Sequence, residues 1–426
     1  MAFLPRAIYP LMIGSALLMF AGGVNGLILP VRGSQEGFSS FSLGLLGTGW
    51  AIGYILGCLM MPRTVARVGH IRAFGAMTAL AVISVLASLL VIEAWAWIPL
   101  RGIAGFAFAG AAMIVESWLN ERAEAASRGR VFGLYTMVNL AATTLGQMAL
   151  TIGETSTHLF FVVAAIFYAL ALLPSGLYAS HAPNPLVGAS LDLKTLWRNS
   201  PVAVASVVLI GISNSSFGTL GAVYGEQIDL SVSAIALFMS RSILAGAGAQ
   251  VPIGYYSDRM DRRVVLVAIA VVALAVDIFL AAVQPTSPTV VLAAAALFGA
   301  CIYSMYPVVV AHANDHAPDN YFLRTSGGLL LLYGVGSIAG PLIAGVTMSA
   351  TGPSGLFIAI AGAHLTLIAY ALWRIRQRVA PPQKADFVPA HPARMSTTET
   401  ASLDPRAEEQ EIEQERVEEL PEDENG

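Results

Sequence analysis

Long apolar runs alternate with short polar breaks along the chain, and the runs have the length of membrane spans. Crossing roughly 30 Å of hydrocarbon takes about 20 mostly apolar residues in a helix. Twelve runs meet this length, near 7–31, 42–62, 73–92, 97–119, 131–153, 158–179, 201–222, 233–256, 264–283, 289–312, 325–350 and 354–373. The pattern predicts an all-α integral membrane protein with twelve transmembrane helices. The first run is read as a span, because it exceeds the about 7–15 apolar residues of a signal-peptide core. The longest internal break, "SHAPNPLVGASLDLKTLWRNSP", carries Pro, Asn and Gly breakers and divides the spans six and six. The predicted organisation is an N-terminal half at 1–179, a central loop at 180–200, a C-terminal half at 201–375 and a tail at 376–426.

Charge placement orients the spans. Short cytoplasmic loops collect Lys and Arg. One side receives Arg6, Arg63, Arg67, Arg72, Arg122, Arg128, Arg130, Lys194, Arg198, Arg259, Arg262, Arg263, Arg324 and the tail, whereas the other receives only Arg32. Both termini are therefore expected in the cytoplasm. The tail holds thirteen acids against six bases, and it is expected to be a largely disordered acidic extension. Composition agrees with the span count: 56% of residues are hydrophobic, and the chain has only two lysines, Lys194 and Lys384. A soluble protein could not cover its surface in this way. No basic face for nucleic acid exists. The two cysteines, Cys58 and Cys301, lie in apolar runs and make no disulfide framework.

The halves resemble each other. A shift of 194 residues pairs Gly105 with Gly299, Asn120 with Asn314, Glu121 with Asp315, Arg130 with Arg324, Gly133 with Gly327 and Gly146 with Gly340. A shift of 192 pairs Arg67 with Arg259 and Gly69 with Asp261, and one of 189 pairs Asn25 with Asn214. Two parallel six-helix halves with a site between them near the midplane form a known transporter plan.

Ionisable groups inside spans are costly and face the interior or a partner. Arg241 lies eight residues into span eight, about 12 Å deep. It is read as a substrate contact, as an anion contact, or as the partner of Asp277 in span nine. Asp277 itself is a candidate proton carrier. Glu116 lies about 22 Å along span four from Arg101, near the cytoplasmic end, where Arg67 or Arg63 is its expected partner. Gln147, Gln250 and Tyr333 are further cavity candidates. His312 and His364 read as packed histidines. No P-loop, HExxH or paired CxxC is present, so no cofactor, metal centre or enzymatic chemistry is expected; "HANDHAPD" reads as a capped, solvated helix end.

"GYYSDRMDRR", Gly254–Arg263, resembles the loop signature Gly-x-x-x-Asp-Arg-x-Gly-Arg-Arg of the major facilitator superfamily. The matching loop "PRTVARVGHIR" keeps Arg67, Gly69 and Arg72 but has Ala66 in place of the Asp. "RGIAGFAFAGA" resembles the second signature, Arg-x-x-x-Gly-x-x-x-Ala. "VESWLNERAEAASRGRVFGLY" and "MYPVVVAHANDHAP" look like the YcaD-like bacterial subgroup. The resemblance covers about residues 5–375. It implies a coupling role for Arg101, which adds to the coupling candidates Asp277 and Glu116 read from the residues, and a central cavity lined by spans one and seven, where Asn25 and Asn214 would bind substrate or form interhelical hydrogen bonds. It also implies a cytoplasmic gate of Arg67, Gly69, Gly254, Asp258, Arg259, Arg262 and Asp315. There Asp258 would hold a helix N-terminus and Arg259 would latch onto Asp315.

The function expected is a secondary active transporter in the bacterial inner membrane. It would move a small solute by alternating access, coupled to protons, as a monomer in the lipid bilayer. The alternative is a transport-inactive scaffold or sensor that recruits a partner through the acidic tail.

Overall fold

The computed structural model describes residues 8–122, 128–177, 193–317, 322–377 and 387, and among them all regular structure is helical. The helices are α1 (Ile8–Gln35), α2 (Ser40–Val68), α3 (His70–Leu90), α4 (Ala94–Arg122), α5 (Arg128–Ala149), α6 (Leu159–Leu170), α7 (Leu172–Leu177), α8 (Leu193–Asn199), α9 (Pro201–Gln227), α10 (Val232–Arg259), α11 (Arg262–Ala282), α12 (Pro288–Asn314), α13 (Phe322–Thr351) and α14 (Gly355–Ile375). Ten of these, α1–α4 and α9–α14, are long and apolar enough to cross a membrane. The expected fifth and sixth spans are α5, which carries Asn139, Thr143, Thr144 and Gln147, and the shorter apolar α6 followed by α7. The central loop contains α8. Its residues 180–192, and the tail beyond 377, apart from Phe387, lie outside the described residues.

Local chemistry sets the helix ends. Ser39 accepts a hydrogen bond from the Ser42 amide at the start of α2, and Ser231 does the same for Ala234 in α10. Pro201 and Pro288 occupy first turns, where a missing N–H costs nothing. Between α2 and α3 the chain turns through Gly69 at φ 81°, a conformation that disfavours side chains. The corresponding joint between α10 and α11 turns differently. Met260 is extended, and Asp261 at φ −55° caps α11 by accepting from the Arg263 amide at 2.9 Å. This accounts for the acid at the position where the loop signature has Gly.

The two sets of helices repeat one packing scheme. In the first, α1 packs on α5 and α6, α4 on α2 and α3, and α3 on α6. In the second, α9 packs on α13 and α14, α12 on α10 and α11, and α11 on α14. The repeated glycines explain the closeness. A Cβ at Gly105 would strike the Trp50 carbonyl oxygen of α2, and one at Gly299 would strike that of Ser242 in α10. Gly146 meets the Phe20 carbonyl of α1, and Gly340 meets that of Ile212 in α9. Small residues let backbones approach where lipid supplies no hydrophobic drive between helices. The sets join chiefly through α2 against α13, with α1 against α9 and α5 against α10.

Candidate functional site

Polar side chains converge at three levels. At the Arg-poor end, hydrogen bonds cross between the sets. Ser34 at the end of α1 bonds Glu226 at the end of α9. Gln227 donates to Ser40 at 3.1 Å, the Phe41 amide donates to Ser349 at 3.1 Å, and Thr48 donates to the Ile338 carbonyl at 2.8 Å. Deeper on that side, Ser240 of α10 donates to Gln147 of α5 at 2.9 Å. Gln147 therefore ties the sets together, where it was expected to line a cavity. Gly44 and Gly345 bring α2 and α13 together at the same end.

The second level is interior. Asn25 (2% exposed) faces the Tyr168 hydroxyl of α6, and Tyr168 lies beside Arg101. Arg101 is half-buried at this cluster. Asn214 (6% exposed), the repeat partner of Asn25, faces Tyr333 of α13, which also meets Ser337 and packs edge-on against Tyr306 at 5.4 Å. The Oδ1 atoms of both asparagines are buried with no hydrogen-bond partner. A buried acceptor left in this state costs roughly 1–3 kcal/mol, and these two occupy repeat-related positions. Glu116 (4% exposed) accepts from the Tyr135 hydroxyl at 3.3 Å and lies beside Tyr54. Arg63 and Arg67 stand exposed, so the expected Glu116 partnership is replaced by a tyrosine pair. A phenol O–H offsets part of the cost of burying the carboxylate.

Arg241 does not pair with Asp277. It is exposed, on a stripe of α10 that continues through Leu244, Val251 and Tyr255, opposite the Ser242–Gly246 face that meets α12. Asp277 pairs with His364 of α14, Nδ1 to Oδ2 at 2.6 Å, and His364 Nε2 lies 3.0 Å from the Ser213 hydroxyl of α9. This chain of three was not legible in sequence, since its members are 64 and more residues apart on different helices. Gln250 donates to the Tyr303 carbonyl, and His312 packs on His316 with ring centroids 4.6 Å apart. Among the described residues no cluster of His, Cys, Asp and Glu could hold a metal ion.

The third level is the Arg-rich end. Arg262 (1% exposed) donates to Asp315 at 2.7 Å, to Asp258 at 3.1 Å and to Ser257 at 3.0 Å. Arg259 lies over the Tyr255 ring at 3.5 Å. The partner expected for Arg259 is thus taken by Arg262, because the first turn of α11 aims residue 262 at the end of α12 while residue 259 stays on the exposed side of α10. Asp258 holds Arg262 rather than a helix N-terminus; Asp261 does the capping. Burial works to raise the Asp261 pKa, but hydrogen bonds from the Arg263 side chain and amide, with its charge, carry it below the usual carboxylate value. This network joins α10, α11 and α12, all within the second set. Phe387 of the tail packs over Gly254, where a Cβ would collide with its ring.

Relatives agree with this architecture. The model of the Major Facilitator Superfamily matches residues 11–249 and 202–407. The MFS-type transporter YcaD of Escherichia coli (strain UTI89 / UPEC) is 27% identical over 363 residues, covering 84% of this chain and 92% of that protein. YcaD of Shigella flexneri is 27% identical over 365 residues, with the same coverage of 84% and 92%. Among solved structures, the nucleoside transporter NupG superposes with a TM-score of 0.76 at 14% identity, covering 88% of this chain and 100% of that one. A bacterial homologue of the lysosomal transporter Spinster, inward-facing and occupied, gives 0.73 at 15% identity, covering 87% and 97%. Similarity at that identity carries the fold alone. Because the family model spans well over half of its length, the chain is a multi-pass membrane protein that belongs to the Major Facilitator Superfamily.

Proposed function

We propose that the protein is a proton-coupled secondary transporter that moves a small solute across the bacterial inner membrane by alternating access. In this reading twelve spans form two six-helix halves, 1–179 and 201–375, with both termini and the 376–426 tail in the cytoplasm, and one chain is the working unit. The Arg-poor end is then the outer face, by the positive-inside rule. The observation that carries the reading is the placement of the bonds between the sets. Ser34–Glu226, Gln227–Ser40, Phe41–Ser349, Thr48–Ile338 and Ser240–Gln147 all lie toward one face. At the other face, the described bonds of Arg262 join α10, α11 and α12. Two similarly packed sets that meet along α2 and α13 and bond each other toward one face suit rocking about a central site. Solute contacts are assigned to Asn25 and Asn214, whose buried Oδ1 atoms suit a ligand with hydrogen-bond donors, and to Tyr333 beside Asn214. Arg101 beside Tyr168 is assigned to coupling, and Arg241 is given no solute contact. The test is a melting-shift screen of small solutes, nucleosides included, followed by proteoliposome flux of any hit under an imposed pH gradient. Flux that responds to the gradient and falls in Asn214→Ala is expected. Flux of the hit that ignores the pH gradient removes proton coupling, and wild-type flux equal to empty liposomes removes transport.

A further inference from the structure

Three buried side chains from α9, α11 and α14 meet in a row. Asp277, His364 and Ser213 are each 0% exposed, and the hydrogen bonds along the row are 2.6 and 3.0 Å. The order has the form of a nucleophile triad, but the hydroxyl lies between helices with no exposure, so no acyl substrate reaches it. None of the three is a scaffold feature of the repeat. The shifts of 194 and 189 put Ile83, Leu170 and Val24 at the matching positions of the first half, and none of these carries a proton.

We propose that Asp277, His364 and Ser213 form a proton-binding site whose occupancy switches the hydrogen bonding of α9 beside the solute site. The inference rests on the proton-coupled reading above and names the groups that carry the proton. The bookkeeping has two states. With the proton bound, the Asp277–His364 pair is neutral, both imidazole nitrogens are engaged, and Nε2–H donates to the Ser213 oxygen. Without it the pair carries one negative charge, Nδ1–H donates to Asp277, and the bare Nε2 accepts from the Ser213 hydroxyl. Loading the proton therefore frees the Ser213 hydrogen. Its neighbours show where that hydrogen goes: Ser215 donates to the Gly211 carbonyl at 2.6 Å and Ser216 to that of Ile212 at 2.7 Å. Such bonds to the preceding turn bend helices. The next residue, Asn214, carries the orphaned Oδ1 and faces Tyr333 on α13. Consecutive helical residues point about 100° apart, so one turn of α9 meets the proton site on one side and the solute site on the other.

The surroundings leave the pair as the titrating centre. Around Asp277, α12 presents Cys301 as the other titratable group. Toward His364, α12 presents the Phe298 ring at 6.3 Å and α9 presents Ser213. The second carboxylate oxygen, Asp277 Oδ1, is buried with no hydrogen-bond partner, leaving room for protonation without breaking a bond.

The test uses the full chain in nanodiscs, with nitrogen-15 histidine for NMR across the pH range the protein survives, and His364→Gln to assign the signal. Hydrogen exchange over residues 209–216, corrected for intrinsic rates, reads α9. Among the seven histidine signals, the one lost in His364→Gln is expected to respond to pH, with its midpoint displaced in Asp277→Asn. Exchange over 209–216 should change at that same midpoint. Ser213→Ala should keep the titration and lose the exchange response, a split that a merely structural hydroxyl would not produce. If Asp277→Asn fails to fold, Ser213→Ala carries the test alone. An unchanging His364 signal overturns the proton site, and an α9 response that persists in Ser213→Ala overturns the switch. Gradient-driven flux with a silent His364 removes this site but leaves proton coupling. A titrating His364 with gradient-independent flux does the reverse.

Discussion

Replacing Arg262 with Met isolates what the charged knot at the Arg-rich end contributes. Its guanidinium and Asp315 are 1% and 2% exposed, whereas Asp258, the other acid it holds, is 35% exposed. Removing one partner of a buried pair costs about 3–5 kcal/mol, because the remaining charge loses its compensation. An exposed pair is worth roughly 0.2–1 kcal/mol. Arg262→Met is therefore expected to shift the unfolding equilibrium by a factor of roughly 10² to several times 10³, and Asp258→Asn by less than about tenfold. The expected latch paired Asp315 with Arg259, whereas the structure pairs it with Arg262. The described bonds fasten α10, α11 and α12 to one another, so the loss should appear in stability. The double variant Arg262→Met/Asp315→Leu should recover most of the deficit, since apolar replacement of a whole buried pair is often neutral. The assay is denaturant unfolding in detergent micelles, followed by tryptophan fluorescence. Equal losses in Arg262→Met and Asp258→Asn would refute the burial argument, as would a double variant no better than the single.

Other consequences follow from packing and charge. Gly23→Ala forces a Cβ into the Thr143 carbonyl, while Gly26→Ala meets nothing within 4 Å; the first should lose about 1–3 kcal/mol and the monodisperse peak on size exclusion, the second neither. Phe387→Ala should uncover the notch at Gly254 and Gly254→Val should expel the ring, and both should speed protease cleavage near residue 387. Asp261→Asn keeps an N-cap oxygen on α11 but removes the carboxylate charge that Arg263 holds at 2.7 Å. Because the folded-state pKa of Asp261 is lowered, its contribution is present above the unfolded carboxylate pKa and lost as pH falls through the lower folded value. Acid unfolding curves of wild type and Asp261→Asn should thus converge at low pH.

Much of the fold was legible in one dimension, because lipid demands it: any spanning helix must be apolar for about 20 residues. The repeat at 194 residues was readable for the same kind of reason, as Gly105, Gly146, Gly299 and Gly340 each stand where backbones touch and no side chain fits. Loop arginines were visible as a group, but their partners were not. Arg259 and Arg262 are three residues apart, and only the direction in which α11 leaves the turn decides which one reaches Asp315. The interior charges show the same limit. Depth along a span identified Arg241, Glu116 and Asp277 as costly, but the face of the helix decides the partner. Arg241 turns to an exposed stripe, Glu116 to Tyr135, and Asp277 to His364, which the sequence marks only as one histidine in an apolar run. Sequence alone thus determined where polar groups must be satisfied, since burial cost follows from composition and span length. Tertiary structure decided with what, because hydrogen bonds of about 3 Å depend on how helices distant in sequence rotate against each other.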